Sequence, residues 1–470
     1  MTHQIRLLYE LYLRHPVVTT DSRRCTPGSI FFALRGARFD GNRYAADVLR
    51  QGCALAVVDD PAVIPAGGDG RYFLVDDVLD TLQHLAAHHR EQFRFWQRPV
   101  AVIGITGTNG KTTTKELLHA VLSRRYSVLA TEGNLNNDIG VPLTLLRVTP
   151  DHELAIVEMG ANHPLDIAAL CAMVHPDYGL ITTVGKAHLE GFGSLEGVVA
   201  AKTKLYDSLR EDGGTAFVDA GNALLTPHTR GLHTVPYAVR GPEAEAAACR
   251  VTGEATACSP CLSLTLCVGQ ERVHVATHLI GAYNLINVIA AAAVGHHFGV
   301  PAAAIKAALE AYAPSNMRSQ LVELGHGRQL ILDAYNANPT SMRAALESFN
   351  LHTAPHRSLV LGAMGELGAE SAAEHLAVLR YLMQPDVTLG DVLLVGRDFE
   401  EAFAALTDDE VMQLAGRRSV RCYADADAVC RDEEVLRRLP GTVLIKGSRA
   451  QRLERVAERI AELSQVPAPQ

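Results

Sequence analysis

Short apolar runs alternate with amphipathic stretches along most of this chain. From Val100 the alternation is regular. VAVIGIT leads into a helical stretch from Lys111, SVLAT into one near 139–147, LAIVEM into one near 165–173, and YGLITTV into one near 195–210, before GTAFVDA. Apolar strands separated by helices predict right-handed βαβ units and a parallel sheet. Residues 249–280 alternate at period two instead, which predicts antiparallel strands, and an Ala-rich helix is expected at about 284–298.

Two flanking regions differ. Before FRFWQRPV, the runs SIFFAL, LAVVDD and RYFLVDD sit between turn residues with a helical stretch at 78–95, so a small α/β unit is expected. From Pro314, LILDAY, SLVLGAM, DVLLVGR, SVRCYAD and TVLIKGS predict a second doubly wound unit. Its strands end in polar residues, Asp333, Glu366, Arg397 and Lys446 with Arg449, on the edge where such sheets bind ligands. With 470 residues the chain exceeds one ordinary core. The predicted fold is α/β in three domains: a small N-terminal α/β domain over 1–97, a central P-loop parallel-sheet ATPase domain over 98–313, and a C-terminal Rossmann-like domain over 314–470. No internal repeat is visible.

The strongest local signal is GITGTNGKTT, between a strand and a helix. Backbone N–H groups at a helix start suit phosphate, and glycines let the backbone approach. Lys111 would reach the outer phosphates and the Thr112 hydroxyl a Mg²⁺. A glycine turn that merely caps a helix leaves the Gly-Lys-Thr-Thr order unexplained. The usual pattern wants glycine five residues before Gly110, and Ile105 stands there, so the loop is a variant. Glu158 ends the next strand, where a carboxylate can bind the metal. His188 follows the strand after that. Lys202 and Lys204, on a helix, would ordinarily read as a solvated face.

Composition changes little. The chain is 48% hydrophobic and 20% charged with a net charge of −9, which disfavours nucleic acid or an anionic membrane as partner. The longest apolar candidate span is cut by Asn287, His296 and His297, and the N-terminus lacks a signal-peptide core, so no membrane span and a cytoplasmic location are expected. The nine cysteines are scattered and fit reduced thiols. CSPC could open a zinc site, but no second CxxC follows and CLSLTLCVG alternates like a strand, so strand packing is expected.

Taken together, GTNGKTT, NLNNDIGVP, EMGA, AHLEGFGS, AKTKLYDSL, GAYNLINVIAA, DAYNANPTSM and LVLGAMGELG resemble the Mur ligase family over nearly the whole chain. DAYNANP and the N-terminal DSRRCTPGSIFFALRGARFDG are most like the members that join D-Ala-D-Ala to a UDP-N-acetylmuramoyl-tripeptide. The resemblance implies an ATP-dependent ligase with Mg²⁺. It implies ATP contacts from Gly107, Thr108, Asn109, Gly110, Lys111, Thr112, Thr113, Asn284, Asn287, Arg318 and Asp333. Lys111, Glu158, His188 and Lys202 would be catalytic, with Thr112, Glu158, His188 and a carbamylated, CO₂-derived Lys202 at the metal. Ser22 and Arg23 would meet the uridine end, and Asn134 and Asn137 would lie between P-loop and substrate. Tyr335, Asn336, Asn338, Lys446 and Arg449 would lie near the dipeptide.

Two departures stand out. Tyr283 replaces a frequent family histidine, and Lys204 replaces an acid. The expected chemistry is an acyl phosphate made from the tripeptide carboxylate and ATP, followed by attack of the D-Ala-D-Ala amine. A hinge near Pro314 and a monomer are expected. The rival readings are another amide ligase of the superfamily, such as a folylpolyglutamate synthase, and a nucleotide-driven switch without ligation.

Overall fold

The computed structural model describes residues 3–465 apart from 38, 69, 316, 326 and 417. Three main sheets organise it. The first is wholly parallel, in the order Val18–Thr19, Ile30–Phe32, Leu55–Val58, Tyr72–Leu74.

The central sheet has nine strands. Their order is Glu271–Ala276, Ser263–Val268, Val251–Ala257, His233–Val239, Thr215–Asp219, Tyr178–Ile181, Ala101–Thr106, Leu154–Glu158, Val128–Ala130. Strands from Val128–Ala130 across to Val251–Ala257 pair in parallel, and the last two join antiparallel. This matches the change of period near 249. The strand His233–Val239 escaped the sequence reading, because a proline sits inside it and its first residues are exposed.

The third sheet runs Gln320–Gly325, Arg328–Asp333, Thr442–Lys446, Arg357–Gly362, Val392–Val395, Val420–Tyr423. Only its first pair is antiparallel. The added edge strand Gln320–Gly325 was not anticipated.

The helix expected near 195–210 is two helices, Leu195–Lys202 and Lys204–Asp212. The Thr203 hydroxyl donates back to the Val199 carbonyl at 2.9 Å, an alternative that competes with the helical ladder. Among the described residues no helix is long and apolar enough to cross a membrane.

The N-terminal sheet is tied to the central one through the helix Val78–Gln92. Arg90 donates to the carbonyls of Val174 at 2.8 Å and His175 at 2.6 Å, and meets Asp177 at 2.9 Å. Buried His89 lies 2.9 Å from the Val148 carbonyl and 3.2 Å from the Tyr9 hydroxyl. Burial lowers its pKa to about 4. His89 is therefore neutral in the fold while the unfolded chain takes up a proton below about 6.5. Stability is full above pH 6.5 and falls toward pH 4, by on the order of 3 kcal/mol for this group. We expect the unfolding midpoint of His89→Gln to depend less on pH between 6.5 and 4 than that of the wild type.

Candidate functional site

The strand Ala101–Thr106 is buried along nearly all its length and delivers the loop 107–110 to the start of the helix Lys111–Leu122. The Thr108 N–H donates to the Thr183 carbonyl at 2.6 Å and the Asn109 N–H to the Thr183 hydroxyl at 3.2 Å. These bonds fix Gly107, Thr108 and Asn109 against the end of the neighbouring strand. Gly110 has φ +83°, and a Cβ there would come within 2.7 Å of the Asn287 carboxamide oxygen. Asn287 donates to Asn284 at 3.0 Å, and both are buried. Asn287 therefore lies directly against the loop, with Asn284 behind it.

Lys111 curls back, its Nζ donating to the Gly107 carbonyl at 2.7 Å and the Thr108 carbonyl at 3.1 Å. Burial lowers its pKa, Glu158 opposes this, and Arg318 adds to it. Thr113 is half-buried in the helix's first turn. The N–H groups of that turn and an ammonium without a close carboxylate make an anion site.

Glu158 is 1% exposed at the end of Leu154–Glu158. The Thr112 hydroxyl reaches its two oxygens at 2.9 and 3.1 Å, Asn136 donates at 2.8 Å, and the Lys115 ammonium is 3.7 Å away. A hydroxyl beside a buried carboxylate fits Mg²⁺, which keeps water and phosphate oxygens as its other ligands. Among the described residues no three His, Cys, Asp or Glu side chains group as a metal centre.

His188 and Lys202 both lie against Phe192. The His188 ring is edge-on to Phe192 at 6.3 Å, and the Lys202 ammonium is 5.4 Å from the Phe192 ring centre. Lys202 is 2% exposed, its Nζ 3.4 Å from the Ala161 carbonyl. Burial first, and the Lys111 charge second, hold its pKa well below the usual lysine range. The solvated-face reading fails for Lys202 but fits Lys204, which is exposed and pairs with Asp207 at 2.9 Å. His188 has φ +49°, and its Nδ1 sits 2.5 Å from Glu366 of the third-sheet region, itself at φ +61°. The His188 contact lowers the Glu366 pKa. The pair is close without hydrogen-bond alignment.

The third sheet brings its strand ends over the loop. Asn338 donates to Asn109 at 2.9 Å and caps the helix Pro339–Asn350, accepting from Ser341 at 2.8 Å. Arg318 lies 4.0 Å over the Tyr335 ring, and its buried Nε has no hydrogen-bond partner. Asp333 accepts from the Ser319 N–H at 3.2 Å and from Lys446 at 2.6 Å.

The residues expected near the substrates lie as follows. Lys446 is 2% exposed and paired with Asp333, because the strand register sets the two side by side. Asn338 meets the P-loop. Asn336 is exposed. Arg449 is exposed beside Glu454 at 3.6 Å, and Arg397 turns to Glu401 of its own helix at 2.6 Å. Asn134 and Asn137 are exposed, and Asn137 accepts from the Gly140 N–H at 2.9 Å. Asn136, between them, is the residue that touches Glu158. In a tight turn three nearby asparagines point different ways, so the sequence does not single it out. Lys115 did carry a signal, since four residues after Lys111 is the same helix face. Ser22 is half-buried, and exposed Arg23 is held by Asp21 at 2.8 Å, which lowers the Asp21 pKa to about 2.

Comparisons with known proteins agree with this geometry. Models described as Mur ligase family, catalytic domain, Mur ligase middle domain, and Mur ligase, glutamate ligase domain match residues 16–90, 105–295 and 317–449. The UDP-N-acetylmuramoyl-tripeptide–D-alanyl-D-alanine ligase of Escherichia coli is 35% identical over 95% of this chain and 93% of its own. A crystal structure of MurF from Acinetobacter baumannii superposes with TM-score 0.79 at 30% identity, over 96% of this chain and 93% of that one. MurF from Thermotoga maritima in complex with ADP superposes at 0.77 and 26% identity, over 99% of each chain. With three matched domains laid on three sheets, and the phosphate loop at the seam between the second and third, this chain belongs to the Mur ligase family.

Proposed function

We propose that this chain joins D-Ala-D-Ala to the tripeptide carboxylate of a UDP-N-acetylmuramoyl-tripeptide, with ATP cleaved to ADP and phosphate. The observation that carries this reading is the Asn109–Asn338 contact, which sets the start of a third-sheet helix against the phosphate loop. A switch ATPase needs only the loop. A ligase also needs an amine brought to the acyl phosphate that forms beside the loop, and a third-sheet helix set against that loop supports this reading. The names of the relatives support the same reading. We assign the UDP end to 1–97, the nucleotide to 98–313, and the dipeptide with further nucleotide contacts to 314–470. ATP and UDP-linked substrates fit a cytoplasmic setting, and one chain supplies every group discussed, so a monomer suffices.

In the first step a tripeptide carboxylate oxygen attacks the γ-phosphorus, the bond to the β–γ bridging oxygen breaks, and ADP leaves. Two anions must meet, and Lys111, Arg318 and the helix start offset their repulsion. Thr112 and Glu158 would hold Mg²⁺, which neutralises phosphate charge when bound. Asn284 and Asn287 face the adenine side, and Asp333 the ribose. In the second step the dipeptide amine attacks the acyl carbon, phosphate leaves with the electrons of the C–O bond, and the amine gives up a proton.

Lys202 fits a carbamate. An amine must be neutral to add to CO₂, and burial, with the Lys111 charge second, lowers the Lys202 pKa and so favours the neutral form. The product is an anion next to cations. His188, which also lies against Phe192, is assigned to the metal with it on the strength of the family resemblance alone.

Release of ADP should require both UDP-N-acetylmuramoyl-tripeptide and D-Ala-D-Ala. Turnover without the dipeptide, or with folate and glutamate in its place, would overturn the assignment. Assays with lysine- and diaminopimelate-containing tripeptides identify the third residue. Lys111→Ala should lower kcat about 100-fold or more, as loss of a transition-state cation does. Lys202→Ala should lose most activity and regain part of it in short carboxylic acids. With ¹³C-bicarbonate, wild type should show a carbamate NMR resonance that Lys202→Arg lacks, and its absence from wild type would sink the carbamate.

A further inference from the structure

Tyr283, in the turn that leads into the helix Leu285–His297, makes a contact no sequence pattern announces. Its ring folds back over Gly281, whose φ is +92° and whose Cβ, if present, would lie 2.3 Å from the ring. The ring therefore has one place to go. Its hydroxyl lies 2.8 Å from the Ser319 hydroxyl, which belongs to the segment entering the third sheet. The Ser319 N–H in turn donates to Asp333, and Lys446 holds the other Asp333 oxygen.

Both ends of this chain of bonds face the nucleotide. Asn284 follows Tyr283 directly, is buried, and pairs with Asn287 against the phosphate loop. Arg318 precedes Ser319 and lies within electrostatic reach of Lys111. Met317 and Ser319 both adopt left-handed backbone, at φ +58° and +50°. Residues other than glycine keep that conformation only where their surroundings enforce it. The Tyr283 hydroxyl is one such restraint, bonded from outside the segment. Burial first, and the Asp333 charge second, raise its pKa, so the bond keeps its proton.

We infer that Tyr283 is a positioning residue of the nucleotide site, fixing the adenine-side turn and the ribose-side Asp333 in one register through the Ser319 hydroxyl. The inference rests on the reading that Asn284, Asn287 and Asp333 contact the nucleotide. It adds that the two halves of that site, contributed by different sheets, are aligned by one hydroxyl pair at the expected hinge. The remaining lone pairs of Asp333 stay free for ribose hydroxyls while Ser319 and Lys446 hold its orientation.

The test uses the full chain and measures ADP affinity calorimetrically, with steady-state kinetics in ATP. Tyr283→Phe keeps the ring, and Ser319→Ala removes the bond from the other side. Each should raise the dissociation constant for ADP and the KM for ATP about 5-fold, as loss of one neutral hydrogen bond does, with kcat within about twofold. The double variant should be no weaker than the weaker single, because both remove one bond. Ser319→Thr, which keeps the hydroxyl, should restore wild-type affinity. Asp333→Asn serves as reference. Wild-type affinity in both singles while Asp333→Asn binds weakly would overturn the inference and leave the nucleotide site standing. Additive losses in the double variant would overturn it also. Unchanged ADP binding in Asp333→Asn would overturn both. A variant that merely loosens the fold would lower the unfolding midpoint without this split between KM and kcat.

Discussion

At the seam between the central and third sheets, Lys111 and Arg318 stand without a carboxylate in ion-pair contact among the described residues, while Lys446, Lys186, His188 and Lys115 each have one. Lys111 is closed over by its own loop carbonyls, Arg318 covers Tyr335 with a buried nitrogen unpaired, and Lys202 is driven toward neutrality by burial and by Lys111. Such an arrangement is costly in isolation, since buried charges want partners. It makes sense where the partner is a polyphosphate. Glu158 is the nearby carboxylate of the central sheet, and it is occupied by Thr112, Asn136 and Lys115.

Strand register sets where these groups stand. The central strands bring Thr106, Glu158 and Ile181 to one edge through their register. The third sheet brings Asp333 and Lys446 to its own edge in the same way. Polar contacts cross the seam, among them Asn109 with Asn338, His188 with Glu366, Lys186 with Glu374 and Tyr283 with Ser319, and beside them Ile280 of the central region packs into the apolar core of the third sheet.

Much of this was legible beforehand. Long periodic segments gave their strands and helices in the right places, because burial on both faces leaves a plain record in the sequence. The glycine-rich loop and Glu158 were readable from their position at strand and helix ends, while Asn284 and Asn287 entered only through the family resemblance. What escaped depends on tertiary geometry. Which of Asn134, Asn136 and Asn137 meets Glu158 is settled by a turn. Whether Lys446 faces substrate or Asp333 is settled by pairing register. That Lys202 is buried and Lys204 solvated, two positions apart, is settled by a helix that stops at Lys202 and restarts at Lys204.

Asn338 serves two masters with one carboxamide. Its oxygen terminates a helix and its nitrogen reaches another domain. Serine or aspartate would terminate the helix as well but would bring no N–H to Asn109, while glutamine's longer stem would misplace the cap. The position thus looks like one of the most interchangeable in any helix yet also carries a contact between the central and third sheets, so a mutational tolerance map of this chain would record that joining there as if it were a local preference.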